Sequence, residues 1–247
     1  MIKINPIIKK IIKKTTPNFI LNIYRKVIFN KKLKHISKLN REEKFSYIYN
    51  NNMWGGDKNF NSGSGSHNPN IINPYIKVIK EFLKKQHMPT LVDCGCGDFN
   101  VGKNFLSLSK KYYAIDIFQN IIDLNKSKFN YQNLEFLKLD IVEDNIPSGD
   151  VCIVRQILQH LSNQDIFSFI NNIKNKFKFL LVTEHLPDGQ FRSNVDMKTS
   201  FSIRLIFNSG VLLHEKPFEI RYKQMNELLR VSAAPERGII STILYEF

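Results

Sequence analysis

Thr90-Leu91-Val92-Asp93-Cys94-Gly95-Cys96-Gly97-Asp98-Phe99-Asn100 joins a short apolar run to an acid and two glycines one residue apart. Val101 to Leu108 then continues as an apolar segment that reads as a helix. Strand, tight turn and helix in that order bring a backbone close to a nucleotide-like ligand. Gly95 and Gly97 suit a turn that needs positive φ, and they leave space where a side chain would collide with that ligand.

Strands and helices alternate on both sides of this stretch. Asn73-Pro74 reads as an N-cap followed by proline at the first helical position, and Ile76, Ile79, Phe82 and Leu83 keep one helical face. Strands are expected at Thr90–Cys94, Lys111–Asp116, Leu134–Leu139, Asp150–Val154 and Phe177–Thr183, with a last one at Ile239–Tyr245. A helix with Ile121, Ile122 and Leu124 follows the second strand, and a helical patch, Gln156 to Leu161, follows the fourth. Ser162-Asn163-Gln164-Asp165 reads as a capping box that opens the next helix. The pattern is that of an α/β protein with a parallel, doubly wound sheet. Residues 184–225 are less regular and would lie above the carboxyl ends of the strands, where such folds bind ligands.

Composition narrows the class. The 43% apolar and 12% aromatic content of the 247 residues belongs to a globular chain. The three cysteines make no disulfide framework and suit a cytoplasmic protein. Cys94 and Cys96 lack a second Cys/His pair at zinc spacing, so no metal is expected. Residues 1–45 hold thirteen Lys/Arg against two Glu, a net +11 of the chain's +14, so the remaining 202 residues carry only +3. A body-wide nucleic-acid surface is therefore not indicated.

The basic part is read as an N-terminal arm, residues 1–48, ahead of a body over residues 49–247. On a helix, Ile4, Ile8, Ile11 and Ile12 share a face while the lysines fan out on the other. Pro17 should interrupt it, and Phe19 to Ile28 forms a second apolar segment. No run reaches the length needed to cross a bilayer, and no signal-peptide cleavage pattern follows an apolar core. The arm reads either as an interfacial helix on an anionic membrane, at the inner face of a cytoplasmic location, or as an amphipathic helix packed on its own domain or on a partner. RNA binding is third, because stacking aromatics and Arg are sparse there.

Residues 50–73 are loop chemistry: Asn50-Asn51-Asn52, then Trp54-Gly55-Gly56, then Ser62-Gly63-Ser64-Gly65-Ser66. The segment is a flexible linker on one reading. On the other, small residues let backbone amides approach a ligand beside an aromatic wall, the chain's one tryptophan.

Asp93, Asp116 and Asp140 fall at or just beyond successive strand ends. An acid at the end of the second strand can take both ribose hydroxyls. A dinucleotide wants a third glycine, where this chain has Asn100, and Asp98 would repel a pyrophosphate. An adenosine without phosphate fits better, and S-adenosylmethionine is such a molecule.

Over roughly residues 72–185 the sequence resembles the class I S-adenosylmethionine-dependent methyltransferases. More narrowly, Trp54-Gly55-Gly56, Ser62-Gly63-Ser64-Gly65-Ser66, Asp93-Cys94-Gly95-Cys96-Gly97-Asp98-Phe99, Ile115-Asp116-Ile117 and Arg155-Gln156-Ile157-Leu158-Gln159-His160-Leu161 resemble a bacterial group found among surface-polysaccharide and capsule biosynthesis proteins. The resemblance implies a Rossmann-like seven-stranded sheet with the last strand antiparallel. It implies that Asp116 holds the ribose, that Asp140 and Ile141 frame the adenine, and that the glycine turn lies along the methionine part. Asp93, Cys94, Gly95, Cys96, Gly97, Ile117, Trp54, Ser62, Gly63, Ser66 and Arg155 complete the expected cofactor set. Two departures stand out: Gln156 replaces the group's usual acid, and the segment after Asn194-Val195-Asp196 lacks the group's Trp/Pro-rich pattern.

Methyl transfer is an in-line displacement, so the protein aligns nucleophile, carbon and sulfur and takes a proton from a hydroxyl nucleophile. His185, just past the fifth strand, is the preferred base. His160 is read first as a turn residue beside the cofactor and second as a base. Arg155 binds an anionic group or makes a structural ion pair. Glu184, Asn194 and Asp196 are substrate candidates; the last two read sugar hydroxyls or shape turns. The expected activity is O-methylation of a sugar or a sugar-attached group, on a carbohydrate or a nucleotide- or lipid-linked sugar. The alternatives are an RNA or protein methyltransferase, or a non-catalytic partner subunit with the same fold.

Overall fold

A computed structural model describes residues 31–55 and 60–247. The expected arm helices before residue 31 lie outside the described residues, as does Gly56. Residues 31–36 are helical. Residues 41–247 form one compact unit, so the last part of the expected arm, from Arg41 onward, belongs to the same unit as the sheet. Among the described residues no helix is long and apolar enough to cross a membrane.

The compact unit opens with α1 (Arg41–Asn50) and, after a loop, α2 (Pro69–Lys84). Then follow β1 (Thr90–Cys94), β2 (Lys111–Asp116), α3 (Gln119–Lys128), β3 (Leu134–Lys138), β4 (Val151–Arg155), α4 (Asn163–Ile173), β5 (Phe179–Leu186), β6 (Gln224–Ser232) and β7 (Ile239–Glu246). The seven strands form one sheet in the order β3-β2-β1-β4-β5-β7-β6. The first five pair in parallel, and β7 runs against both of its neighbours. This is the sheet the sequence resemblance implies.

Parallel strands covered on both faces read as continuous apolar runs, and β5 is buried at every position. α2 turns Ile71, Tyr75, Ile79 and Leu83, one residue per turn, onto the core. Its start corrects the expected cap. The helix begins at Asn68-Pro69, with Asn68 Oδ1 accepting from Asn70 N at 3.0 Å, and Pro74 lies inside it. Beginning at Asn73 would leave Ile71, now 1% exposed, outside the helical face. Residues 102–108 form 3-10 turns rather than the expected α-helix. Gly102 is closely approached there: a Cβ on it would stand 2.5 Å from the Phe99 ring, and Phe99 is itself buried among Tyr112, Phe129 and Phe136. The patch after β4 likewise shortens to one 3-10 turn, Leu158–His160.

Ser162 caps α4 as expected, accepting from Asp165 N at 3.1 Å. β6 was not expected. Its faces are mostly exposed or half-buried, so it has no apolar run to announce it; pairing with β7 makes it a strand.

Candidate active site

The ends of β1, β2, β3 and β4 surround a cleft lined by Gly95, Asp116, Leu139 and Ile157. Its floor starts at the glycine turn. Gly95 has φ +84° and Gly97 φ +54°, as the sequence implied. The Gly95 and Cys96 amides both donate to Ile115 O, at 2.9 and 2.8 Å, which pins the turn against β2. The space spared by the missing side chains is filled by the chain itself. A Cβ on Gly95 would stand 2.4 Å from Ile157 Cδ1, and one on Gly97 2.2 Å from Ser62 Oγ. Gly95 and Ile157 both line the cleft. The neighbouring cysteines do not reach it by side chain: Cys94 is buried with its Sγ 3.7 Å from Cys152 Sγ, and Cys96 Sγ turns to Gly97 O.

Asp116, at the tip of β2, is 4% exposed and lines the cleft. Phe118 N donates to Oδ1 at 3.1 Å and Gly97 N to Oδ2 at 3.1 Å. Burial pushes its carboxyl up to about 6, opposed by the Phe118 and Gly97 amides. Two amides and, at 3.5 Å, the Tyr49 hydroxyl already donate to this carboxylate, so a ligand hydroxyl that reaches Oδ2 replaces the long Tyr49 contact. Asp93, deeper under the turn, accepts from Tyr112 OH at 2.8 Å; burial also raises it to about 6.

Ile117 and Ile141 line the cleft as expected, beside Leu139 and Val142. Asp140 lines it too, but its carboxylate is already engaged. Oδ1 accepts from Val142 N at 2.9 Å and Oδ2 from Arg41 at 2.5 Å. The opposite wall is aromatic. Phe45 and Tyr49 of α1 and Trp54 face the cleft. Tyr49 meets Trp54 edge-on at 5.0 Å and stacks on Phe118 at 5.2 Å, and its hydroxyl is 3.5 Å from Asp116 Oδ2. Arg41, Phe45 and Tyr49 were missed in the sequence, although their one-turn spacing in Arg41-Glu42-Glu43-Lys44-Phe45-Ser46-Tyr47-Ile48-Tyr49 carries a signal.

The Ser-Gly-rich loop is bound to the glycine turn and to Arg155. Ser62 Oγ accepts from Asp98 N at 2.8 Å, and Asp98 Oδ2 pairs with His67 Nε2 at 2.6 Å. Asp98, the acid expected to repel phosphate, thus also anchors this loop. Gly63 takes φ +86° as its amide donates to Asn61 Oδ1. Arg155 donates to Ser66 Oγ at 3.2 Å and to Gly65 O at 2.5 Å, with its guanidinium 4.9 Å from the centre of the Tyr75 ring. Its Nε is buried and has no hydrogen-bond partner among the described residues, as is the case for Arg41 Nε and Trp54 Nε1. Gln156, in place of the group's acid, has φ +55° and packs its amide against Gly65, where a Cβ would be 1.9 Å from Oε1.

The expected base and substrate residues separate. His160 is 6% exposed, with its ring centroid 5.2 Å from that of Trp54. Its Nδ1–H donates to Ser202 O at 3.1 Å, because a carbonyl can only accept. Nε2 is therefore the acceptor nitrogen, 3.5 Å from the Gln159 amide. Burial pushes His160 down to about 4, so it is neutral at pH 7. His185, the preferred base, instead holds the β6–β7 turn through Nε2–H to Arg237 O at 2.7 Å. Glu184 is 2% exposed and caps the 158–160 turn, its two oxygens accepting from Leu158 N at 3.0 Å and Gln159 N at 2.9 Å. Asn194 spends its side chain on the backbone of Leu212 and Lys216, and Asp196 on the amides of Asn163 and Met197. Glu184 and Asn194 are therefore scaffold, and Asp196 is bound to the α4 entrance rather than directed to the cleft.

No family model matches the chain, and no curated protein matches it in sequence. Solved structures match its fold. N-methyltransferase NodS from Bradyrhizobium japonicum WM9, in complex with S-adenosyl-L-homocysteine, aligns at TM-score 0.59 and 10% identity, over 81% of this chain and 98% of that one. The DhpI–SAH complex aligns at 0.53 and 10% identity, over 83% and 95%. Human N-acetylserotonin methyltransferase in complex with SAM aligns at 0.53 and 17% identity, over 85% and 60%. The chain has the class I methyltransferase fold.

Proposed function

We propose that the chain is an S-adenosylmethionine-dependent methyltransferase that O-methylates a sugar, or a group attached to one, in surface-polysaccharide assembly. The observation that carries the cofactor reading is Asp116: a buried carboxylate that lines the cleft at the tip of β2, between a glycine turn and an aromatic wall. The solved structures of this fold that hold SAM or SAH support the same reading.

S-adenosylmethionine supplies the methyl group as an electrophile on sulfur. Asp116 takes the ribose hydroxyls. Arg155, whose Nη1 donates to Ser66 Oγ and whose Nε has no hydrogen-bond partner among the described residues, is the cation assigned to the methionine carboxylate. Leu139, Ile141 and Val142 offer the apolar surface for a flat base. Trp54, Phe45 and Tyr49 keep water from this side of the cleft. The sugar acceptor rests on the motif resemblance of residues 54–66 and 155–161 and on the near-neutral charge outside residues 1–45. A lipid-linked sugar at the inner membrane face suits the basic arm.

Calorimetry tests the cofactor. Wild-type protein should bind S-adenosylhomocysteine, and Asp116→Ala should weaken that binding by about a hundredfold, since a charged hydrogen-bond partner is worth about 1.5–3 kcal/mol. Unchanged affinity would refute the assignment. A labelled-methyl transfer screen over nucleotide-sugar, lipid-linked sugar, RNA and protein acceptors then tests the substrate class; label on RNA or protein alone would overturn the sugar reading.

A further inference from the structure

Arg41 opens α1 and reaches two other elements at once. Its guanidinium donates to Asp140 Oδ2 at 2.5 Å, just beyond β3, and to Asp165 Oδ1 at 2.7 Å, in the first turn of α4. Glu143 adds a third, exposed contact at 3.1 Å. The two main partners are themselves held in place. Asp140 Oδ1 accepts from Val142 N, and Asp165 Oδ2 accepts from Thr199 Oγ1. The Arg41 side chain is 14% exposed. Burial opposes its charge, but Asp165 and Asp140 outweigh that and hold it above the usual arginine range.

The same face of α1 then places Phe45 and Tyr49 in the cleft, one turn apart. Tyr49 lies between Trp54 and Phe118 with its hydroxyl toward Asp116. A ligand that reaches the Asp116 carboxylate therefore lies against α1. The helix is ten residues long, too short to be stable by itself, so its position depends on what ties it down. Asp140 has both oxygens engaged, and its carboxylate serves this tie rather than the adenine.

We propose that Arg41 is a positioning residue that latches α1 over the adenosyl cleft, and that cofactor enters and leaves when Arg41 releases Asp140 and Asp165. This rests on reading the cleft as an adenosyl site. Asp165 does not line the cleft, so an effect on ligand release from that position passes through the latch.

The chain's one tryptophan, Trp54, lines the cleft, so stopped-flow fluorescence of the full chain can follow release of S-adenosylhomocysteine. Arg41→Ala and Asp165→Asn should each speed release about tenfold, the scale of a partly buried ion pair. The double variant should be no faster than either single one. Arg41→Lys, which cannot fork between two carboxylates, should fall between wild type and Arg41→Ala. Raising ionic strength should speed release from wild type and leave Arg41→Ala unchanged. Unchanged release in Asp165→Asn, additive single effects, or equal salt dependence in wild type and Arg41→Ala would overturn the latch while leaving the cofactor assignment intact. Failure of wild type to bind S-adenosylhomocysteine would overturn both.

Discussion

Burial disfavours the charge of the Asp116 carboxylate, and the ribose contact proposed for it requires that charge. Its carboxyl titrates near 6 rather than 3.8. Affinity for S-adenosylhomocysteine should therefore be flat from pH 8 to 7 and fall as pH drops through 6, approaching about tenfold per unit below it. Asp116→Ala should lack that slope in a calorimetric pH series, and Asp93→Asn separates the second carboxyl that titrates near 6. Unfolding through Asp116 is not the cause. A folded pKa above the unfolded one means the native state holds the extra proton between about 4 and 6, so this group's contribution to stability rises as pH falls through that window. His160 has the opposite sign: lowered from 6.5 to about 4, it contributes stability that is lost as pH falls through that range. The location of Asp116 was legible because a strand-end acid follows from local alternation. The engagement of His185 with Arg237 O was not, since those residues lie 52 positions apart.

At the scale of elements, the 158–160 turn shows what a buried acid does away from the chemistry. Glu184 gives one oxygen to each of two turn amides, and burial pushes its carboxyl up to about 8. Glu184→Gln would set an NH2 against one of those amides. Leaving a buried donor unpaired costs about 1–3 kcal/mol, so thermal unfolding should show a lower midpoint at pH 8.5. Equal midpoints would mean the turn is held otherwise. Element boundaries were legible where an apolar face reaches its cap, as at Ser162. They slipped where two Asn-Pro pairs compete, and burial of Ile71 decided for Asn68. β6 was hidden because its half-exposed residues carry no period of their own.

For the whole molecule, the charge split separates a basic N-terminal part from a body carrying little net charge. Deleting residues 1–39 should abolish co-sedimentation with anionic vesicles and leave S-adenosylhomocysteine binding in place, because among the described residues those that line the cleft lie at or beyond Arg41. Co-sedimentation that is the same with and without the arm would remove the membrane reading. The sequence by itself determined the alternating α/β plan, the left-handed turn at Gly95 and Gly97, and the acid at the tip of β2, because these follow from neighbouring residues and their spacing. Only the tertiary structure decided that Ile157 and Ser62 occupy the space the glycines leave, that Glu184 and Asn194 are scaffold, and that α1 walls the cleft. Each depends on segments far apart in the chain meeting beyond the carboxyl ends of the strands, as Arg41 and Asp140 do across 99 positions, and no local pattern encodes that meeting.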